Sequence, residues 1–153
     1  MNNFVKRTLS GVGFVAVMLA ALLLNKYIFG TVMTISLIVM MKEFLKMTCG
    51  KNYWFSQILS ILAGTTLFVL VFLYKGFNFP GRLVILAFIP IFILMINSLY
   101  VKDKTRFDKF SNLYTAVLYI AVPWSLLNFA VFNGEGTFSG ILLLSFFVII
   151  WGS

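Results

Sequence analysis

Six stretches without a single Lys, Arg, Asp or Glu follow one another along the chain, at residues 8–25, 27–41, 52–74, 83–101, 110–134 and 136–153. A helix needs about 20 predominantly apolar residues to cross a hydrocarbon core of roughly 30 Å, and most of these stretches approach or exceed that length. A soluble domain carries about 25% charged residues. Here 10% of the residues are charged and 61% are hydrophobic, so the chain is read as an all-α, polytopic integral membrane protein. Six transmembrane helices are expected, near 8–25, 27–41, 55–74, 83–101, 111–132 and 138–151. The second span is the shortest; it needs Lys26 and Lys42 to snorkel, and a re-entrant hairpin with the first span competes with it. Lys6 and Arg7 before the first apolar run resemble a signal peptide, but no small-x-small site precedes a polar mature domain. An uncleaved signal anchor is the expectation.

Charge sets the expected orientation. With the N-terminus inside, nine cations fall on the inner side: Lys6, Arg7, Lys42, Lys46, Lys51, Lys102, Lys104, Arg106 and Lys109. Only Lys26, Lys75 and Arg82 fall outside. That bias places both termini in the cytoplasm, because cytoplasmic loops carry the excess of Lys and Arg. Gly76, Pro80 and Gly81, and later Asn133, Gly134 and Gly136, are expected to break the helices at turns, and Tyr27, Tyr53, Trp54, Tyr74, Tyr100, Tyr114 and Trp151 to mark the headgroup layer.

Composition excludes several chemistries. There is no His and one Cys, Cys49, which rules out a His/Cys metal centre, a Ser-His-Asp triad and an internal disulfide. The net charge of +8 is split into short clusters between apolar runs, which argues against a nucleic-acid partner. The four acids do not form a metal motif: Glu43 is placed to pair with Lys46 along a helix, Asp103 and Asp108 lie among Lys and Arg, and Glu135 falls on the opposite side. Gly13, Ala16 and Ala20 are expected to let the first helix pack closely, Pro90 and Pro123 to kink the fourth and fifth, and Asn128, the deepest amide, to bond between helices. Lys6, Arg7, Lys102, Lys104, Arg106 and Lys109 are the candidate lipid-headgroup ligands, since cations beside a membrane attract anionic headgroups at about 1 kcal/mol each. The same charges also enforce topology.

The segment Lys6-Arg7-Thr8-Leu9-Ser10-Gly11 entering a membrane helix resembles the start of bacterial phosphatidate cytidylyltransferases, the CDP-diacylglycerol synthases. Glu43 at the end of a second helix, then Leu118-Tyr119-Ile120-Ala121, then Phe146-Phe147-Val148-Ile149-Ile150-Trp151 keep the order of that family's N-terminal membrane portion. The family pattern continues after the tryptophan with Asn-Asp and a further half that binds metal and nucleotide, whereas this chain ends Gly152-Ser153. The resemblance implies a catalytic C-terminal half that is absent, no catalytic residue and no metal ligand in these residues, and Gly152 and Ser153 as a foreign or altered terminus. It also implies a complete enzyme that joins CTP to phosphatidate with Mg²⁺, releases pyrophosphate and resides in the inner (plasma) membrane, with a homodimer as a candidate assembly. This chain alone is expected to be inactive. The competing expectations are a small transporter or channel subunit and a non-catalytic membrane scaffold.

Overall fold

The computed structural model describes residues 3–152, with the side chains of residues 3–7, 10, 51, 106 and 151 outside the description. Of the described residues, 87% are helical. Its elements are α1 (Asn3–Leu24), α2 (Lys26–Cys49), α3 (Trp54–Phe77), α4 (Phe88–Tyr100), α5 (Arg106–Ala116), α6 (Val122–Val131) and α7 (Ile141–Gly152). A 3₁₀ segment, Gly81–Ala87, leads into α4, and a π-helical turn, Val117–Ala121, joins α5 to α6. Four helical segments are long and apolar enough to cross a membrane: Lys26–Cys49, Trp54–Phe77, Gly81–Tyr100 and Phe107–Val131. The apolar runs of the first and last helices, Gly11–Leu24 and Ile141–Ile150, are shorter.

The second span, shortest in sequence, is a regular helix of 24 residues. It continues past its charges because they share a face. Lys42, Glu43 and Lys46 are exposed, while Met33, Leu37, Met41, Leu45 and Cys49, four residues apart, are buried. Such an i, i+4 row is the ridge by which one helix packs on another. Charges therefore mark the outward side of its last turns and not its end. Glu43 makes no ion pair with Lys46 among the described residues.

α3 is the hub, packed against α2, α4, α5 and α6. Lipid tails are as apolar as leucine, so membrane helices associate through close packing and hydrogen bonds. At Gly64, a Cβ atom would lie 2.8 Å from the Ala121 Cβ and 2.5 Å from the Met41 Sδ; at Gly140, before α7, it would strike the Leu22 carbonyl. On α1 the close approach is at Leu22, not at the small residues Gly13, Ala16 and Ala20. Gly13 has nothing within 4 Å, Ala16 is exposed, and Met18, Ala21 and Leu22 are the buried residues of α1 among those described.

Hydrogen bonds complete the packing. Ser60 Oγ donates to the Leu113 carbonyl (2.9 Å), Asn97 Nδ2 to Ser56 Oγ (2.6 Å) and Trp124 Nε1 to the Met33 carbonyl (2.9 Å). Asn128 does not bond between helices: its amide donates to Ser125 one turn back, and its Oδ1 is buried without a protein partner. Pro123 lacks an N–H, so the Tyr119 carbonyl has no α-helical donor. The widened turn before it carries a Val122 N–H to Val117 carbonyl bond. α3 runs through Gly76 and stops at Asn78, whose left-handed conformation (φ 53°) lets its N–H cap the Leu73 carbonyl.

Candidate functional site at the basic end

Contacts between helix ends, Lys26 with Gly76 on one side and Tyr53 with Asp103 and Thr48 with Lys109 on the other, sort the ionic groups into two ends. At one end Lys26 Nζ reaches the Gly76 carbonyl (3.4 Å) and stands 4.3 Å from the Phe77 ring centre, while Lys75 stands 4.5 Å from that of Phe129. Cations over aromatic faces are held by the ring quadrupole. Arg82 and Glu135 belong to this end too, in the segments after α3 and α6.

The other end gathers the last turns of α2 with Lys42 and Lys46, the 3₁₀ turn Lys51–Tyr53, and the α4–α5 connection with Lys102, Lys104, Arg106 and Lys109. Tyr53 ties them together. Its hydroxyl donates to Asp103 Oδ2 (2.7 Å), and its ring meets Phe110 edge to face at 6.0 Å. Asp103 also accepts from the Thr105 N–H and hydroxyl, both at 3.2 Å. The Tyr53 hydroxyl, then the Thr105 N–H, hold the Asp103 carboxyl below its usual range, because bonds to the charged form favour it. Desolvation, then the bond to Asp103, raises the Tyr53 phenol.

Of the candidate headgroup ligands, Lys102 and Lys104 are exposed in the connection. Lys109 is half-buried, and its ammonium donates to the Thr48 carbonyl (2.8 Å), while Cys49 Sγ donates to the Lys109 carbonyl (3.5 Å). Lys109 thus caps the C-terminus of α2, where a cation suits the helix dipole. Lys6 and Arg7 lie in the first turns of α1 and Arg106 opens α5; the side chains of these three fall outside the described residues.

A groove of about 520 Å³ opens beside this basic connection, lined by Ser98 and Leu99 of α4, by Phe107, Phe110, Ser111, Tyr114 and Thr115 of α5, and by Leu118. Sequence reading missed it. Its signal was there: Ser111 and Thr115 are hydroxyls one helical turn apart in an apolar segment, on the face that also carries Phe107 and Leu118.

The four carboxylates lie on different elements. Mg²⁺ takes one or two carboxylates in octahedral geometry together with substrate phosphates and water. Asp103 is committed to Tyr53 and Thr105, Glu43 and Asp108 are exposed on different helices, and Glu135 is at the far end. No three of the Cys, Asp and Glu residues cluster among the described residues.

These features define an all-helical polytopic membrane protein with seven of its cations, Lys42, Lys46, Lys51, Lys102, Lys104, Arg106 and Lys109, toward one end and an amphipathic groove beside them. The chain belongs to the cytidylyltransferase family, that of the CDP-diacylglycerol synthases, whose profile matches residues 5–153. No curated protein and no solved structure matches it. The family is one of nucleotidyltransferases, which agrees with the resemblance carried by the Lys6–Gly11 and Phe146–Trp151 motifs.

Proposed function

We propose that these residues form the membrane portion of a phosphatidate cytidylyltransferase, which joins CTP and phosphatidate to give CDP-diacylglycerol and pyrophosphate. The family match over residues 5–153 carries the proposal. The gathering of Lys42, Lys46, Lys51, Lys102, Lys104, Arg106 and Lys109 at one end supports it, because such a surface concentrates an acidic phospholipid and repels few of its anions. The same charge bias favours that end in the cytoplasm of a plasma-membrane protein, on the side where CTP is found.

In this reading the phosphate of the lipid attacks the α-phosphorus of CTP and pyrophosphate leaves, a displacement governed by positioning and by neutralising crowded anions. Lys102 and Lys104 draw the lipid phosphate to the membrane surface. The Tyr53–Asp103–Thr105 bonds hold their connection against α2 and α3. Glu43, Asp103, Asp108 and Glu135 lie on four different elements, which supports the reading that this stretch alone is inactive.

The test is incorporation of labelled CMP from CTP into phosphatidate in nanodiscs with Mg²⁺, comparing this chain with one extended by the family's metal- and nucleotide-binding half. Transfer by the extended chain alone is the expected result. Transfer by the 153 residues would overturn the assignment of the catalytic groups, and silence in both would overturn the activity.

A further inference from the structure

The groove between α4 and α5 has the length and chemistry to take one acyl chain of a phospholipid below its headgroup. Its volume of about 520 Å³ is within the usual range of ligand sites. From Phe107 to Leu118 the helix advances roughly 16 Å, close to the roughly 15 Å of a single hydrocarbon leaflet. It is open to the side, since Leu99, Phe107 and Leu118 are 76%, 83% and 63% exposed, while Phe110, only 4% exposed, forms its floor.

Polar groups are graded along it as they are along a phospholipid. The α4–α5 connection, which joins the lining residues Leu99 and Phe107 in the chain, carries Lys102 and Lys104, both exposed. The acids nearby are Asp103, occupied by Tyr53 and Thr105, and Asp108, exposed in the first turn of α5; with Arg106 and Lys109 counted, the segment remains basic. Ser111 lies about 7 Å along the axis from the start of α5, the depth at which an interfacial layer of roughly 5–7 Å gives way to hydrocarbon. Thr115 is one turn deeper.

These two hydroxyls differ from most others on the membrane helices. Thr31, Thr34, Thr65, Thr66, Ser125 and Ser145 each return their proton to the carbonyl four residues back. Ser111 and Thr115 make no hydrogen bond among the described residues, although both line the groove. A hydroxyl facing an apolar medium without a partner is costly, and the ester oxygens of a lipid would remove that cost.

We infer that this groove holds one anionic phospholipid, its phosphate at Lys102 and Lys104, its glycerol esters at Ser111 and Thr115, and one acyl chain along Phe110 and Leu118. The site does not depend on cytidylyl transfer, and phosphatidylglycerol serves as a probe that is not the acceptor in that reaction. The delipidated chain is titrated in detergent with dioleoylphosphatidylglycerol and with dioleoylphosphatidylcholine, and bound lipid is counted by native mass spectrometry. One phosphatidylglycerol is expected per chain, favoured over phosphatidylcholine by roughly 25-fold, about fivefold for each lysine. Lys102→Gln with Lys104→Gln should erase the preference. Ser111→Phe, which fills the groove, should abolish retention of either lipid. Phe107→Ala, on a side chain too exposed to support the fold, should weaken both about equally. Equal retention of the two lipids by the native chain, unchanged binding in the Phe107→Ala variant, or a lipid-free dimer covering the groove would each overturn the assignment. Absence of CMP transfer in the extended chain, with lipid retention intact in both, would instead count against the proposed function alone.

Discussion

Replacing Gly64 with alanine places a methyl carbon 2.8 Å from the Ala121 Cβ, where ordinary contact begins near 3.4 Å. The new carbon also lies 2.5 Å from the Met41 Sδ and 3.0 Å from its Cε, but a thioether at the end of a flexible side chain can rotate away. Ala121 has no rotamer to change. It belongs to the π-helical turn, so relief requires α3 to separate from that turn or the turn itself to shift. Overpacking of this kind costs about 1–3 kcal/mol. Alanine recovers about 0.4–1 kcal/mol by restricting the unfolded chain, so the single variant understates the clash. A double-mutant cycle with Ala121→Gly isolates it, because the second substitution removes the carbon that is struck and the backbone effects cancel. Stability measured by denaturant unfolding in micelles, followed by Trp fluorescence, should give a coupling of about 1–3 kcal/mol in favour of the double variant. A coupling under about 0.5 kcal/mol, the usual error of additivity, would refute the close approach of α3 to the π turn.

Three further outcomes follow from the same contacts. Ser60→Ala should lower stability by about 0.6 kcal/mol, the average for an interhelical bond in a membrane, whereas Thr65→Val, which loses only a bond within its own helix, should cost less; the reverse order in the same unfolding assay would contradict the Ser60–Leu113 bond. The Asp103 carboxyl should titrate below 3.8, and Tyr53→Phe should return it toward that value in a ¹³C NMR titration, an unmoved midpoint being the contrary result. A depressed carboxylate stabilises the connection above its unfolded pKa and loses that contribution as pH falls through the folded value; the raised Tyr53 phenol contributes below its ordinary value of 10.0 and ceases to do so as pH rises through the folded one. Cysteines introduced at Lys104 and Glu135, in a chain whose own Cys49 is buried, should be labelled by an impermeant thiol reagent from opposite faces of oriented vesicles, the Lys104 position from the cytoplasmic face; labelling from one face would overturn the sidedness.

The helical segments and their order were legible in the charge-free stretches, because an apolar run in lipid must satisfy its backbone internally and a helix does so. The gathering of cations at one end was legible for a related reason: segments that alternate in direction bring every second connection together. Span ends were less so. Charge was read as a boundary, whereas Lys42, Glu43 and Lys46 ride on the exposed side of a helix that continues to Cys49. The small residues of α1 suggested a packing face, yet the tightest approaches are at Gly64 and Gly140. Asn128 was rightly placed deep, but its Nδ2 donates within α6 and its Oδ1 is left without a partner among the described residues.

Sequence alone determined the medium, the helical class, the family and the imbalance of charge, since each depends on which residues occur and in what order. Tertiary structure decided which of them act together. Tyr53 and Asp103 are 50 residues apart, Ser60 and Leu113 are 53 apart, and Thr48 and Lys109 are 61 apart. Lipid penalises neither face of an apolar helix, so hydrophobic pattern cannot say which face meets a neighbour. That choice rests on shape and hydrogen bonding between helices, as at Gly64 against Ala121, and the groove at Ser111 and Thr115 exists only because α4 and α5 leave space there.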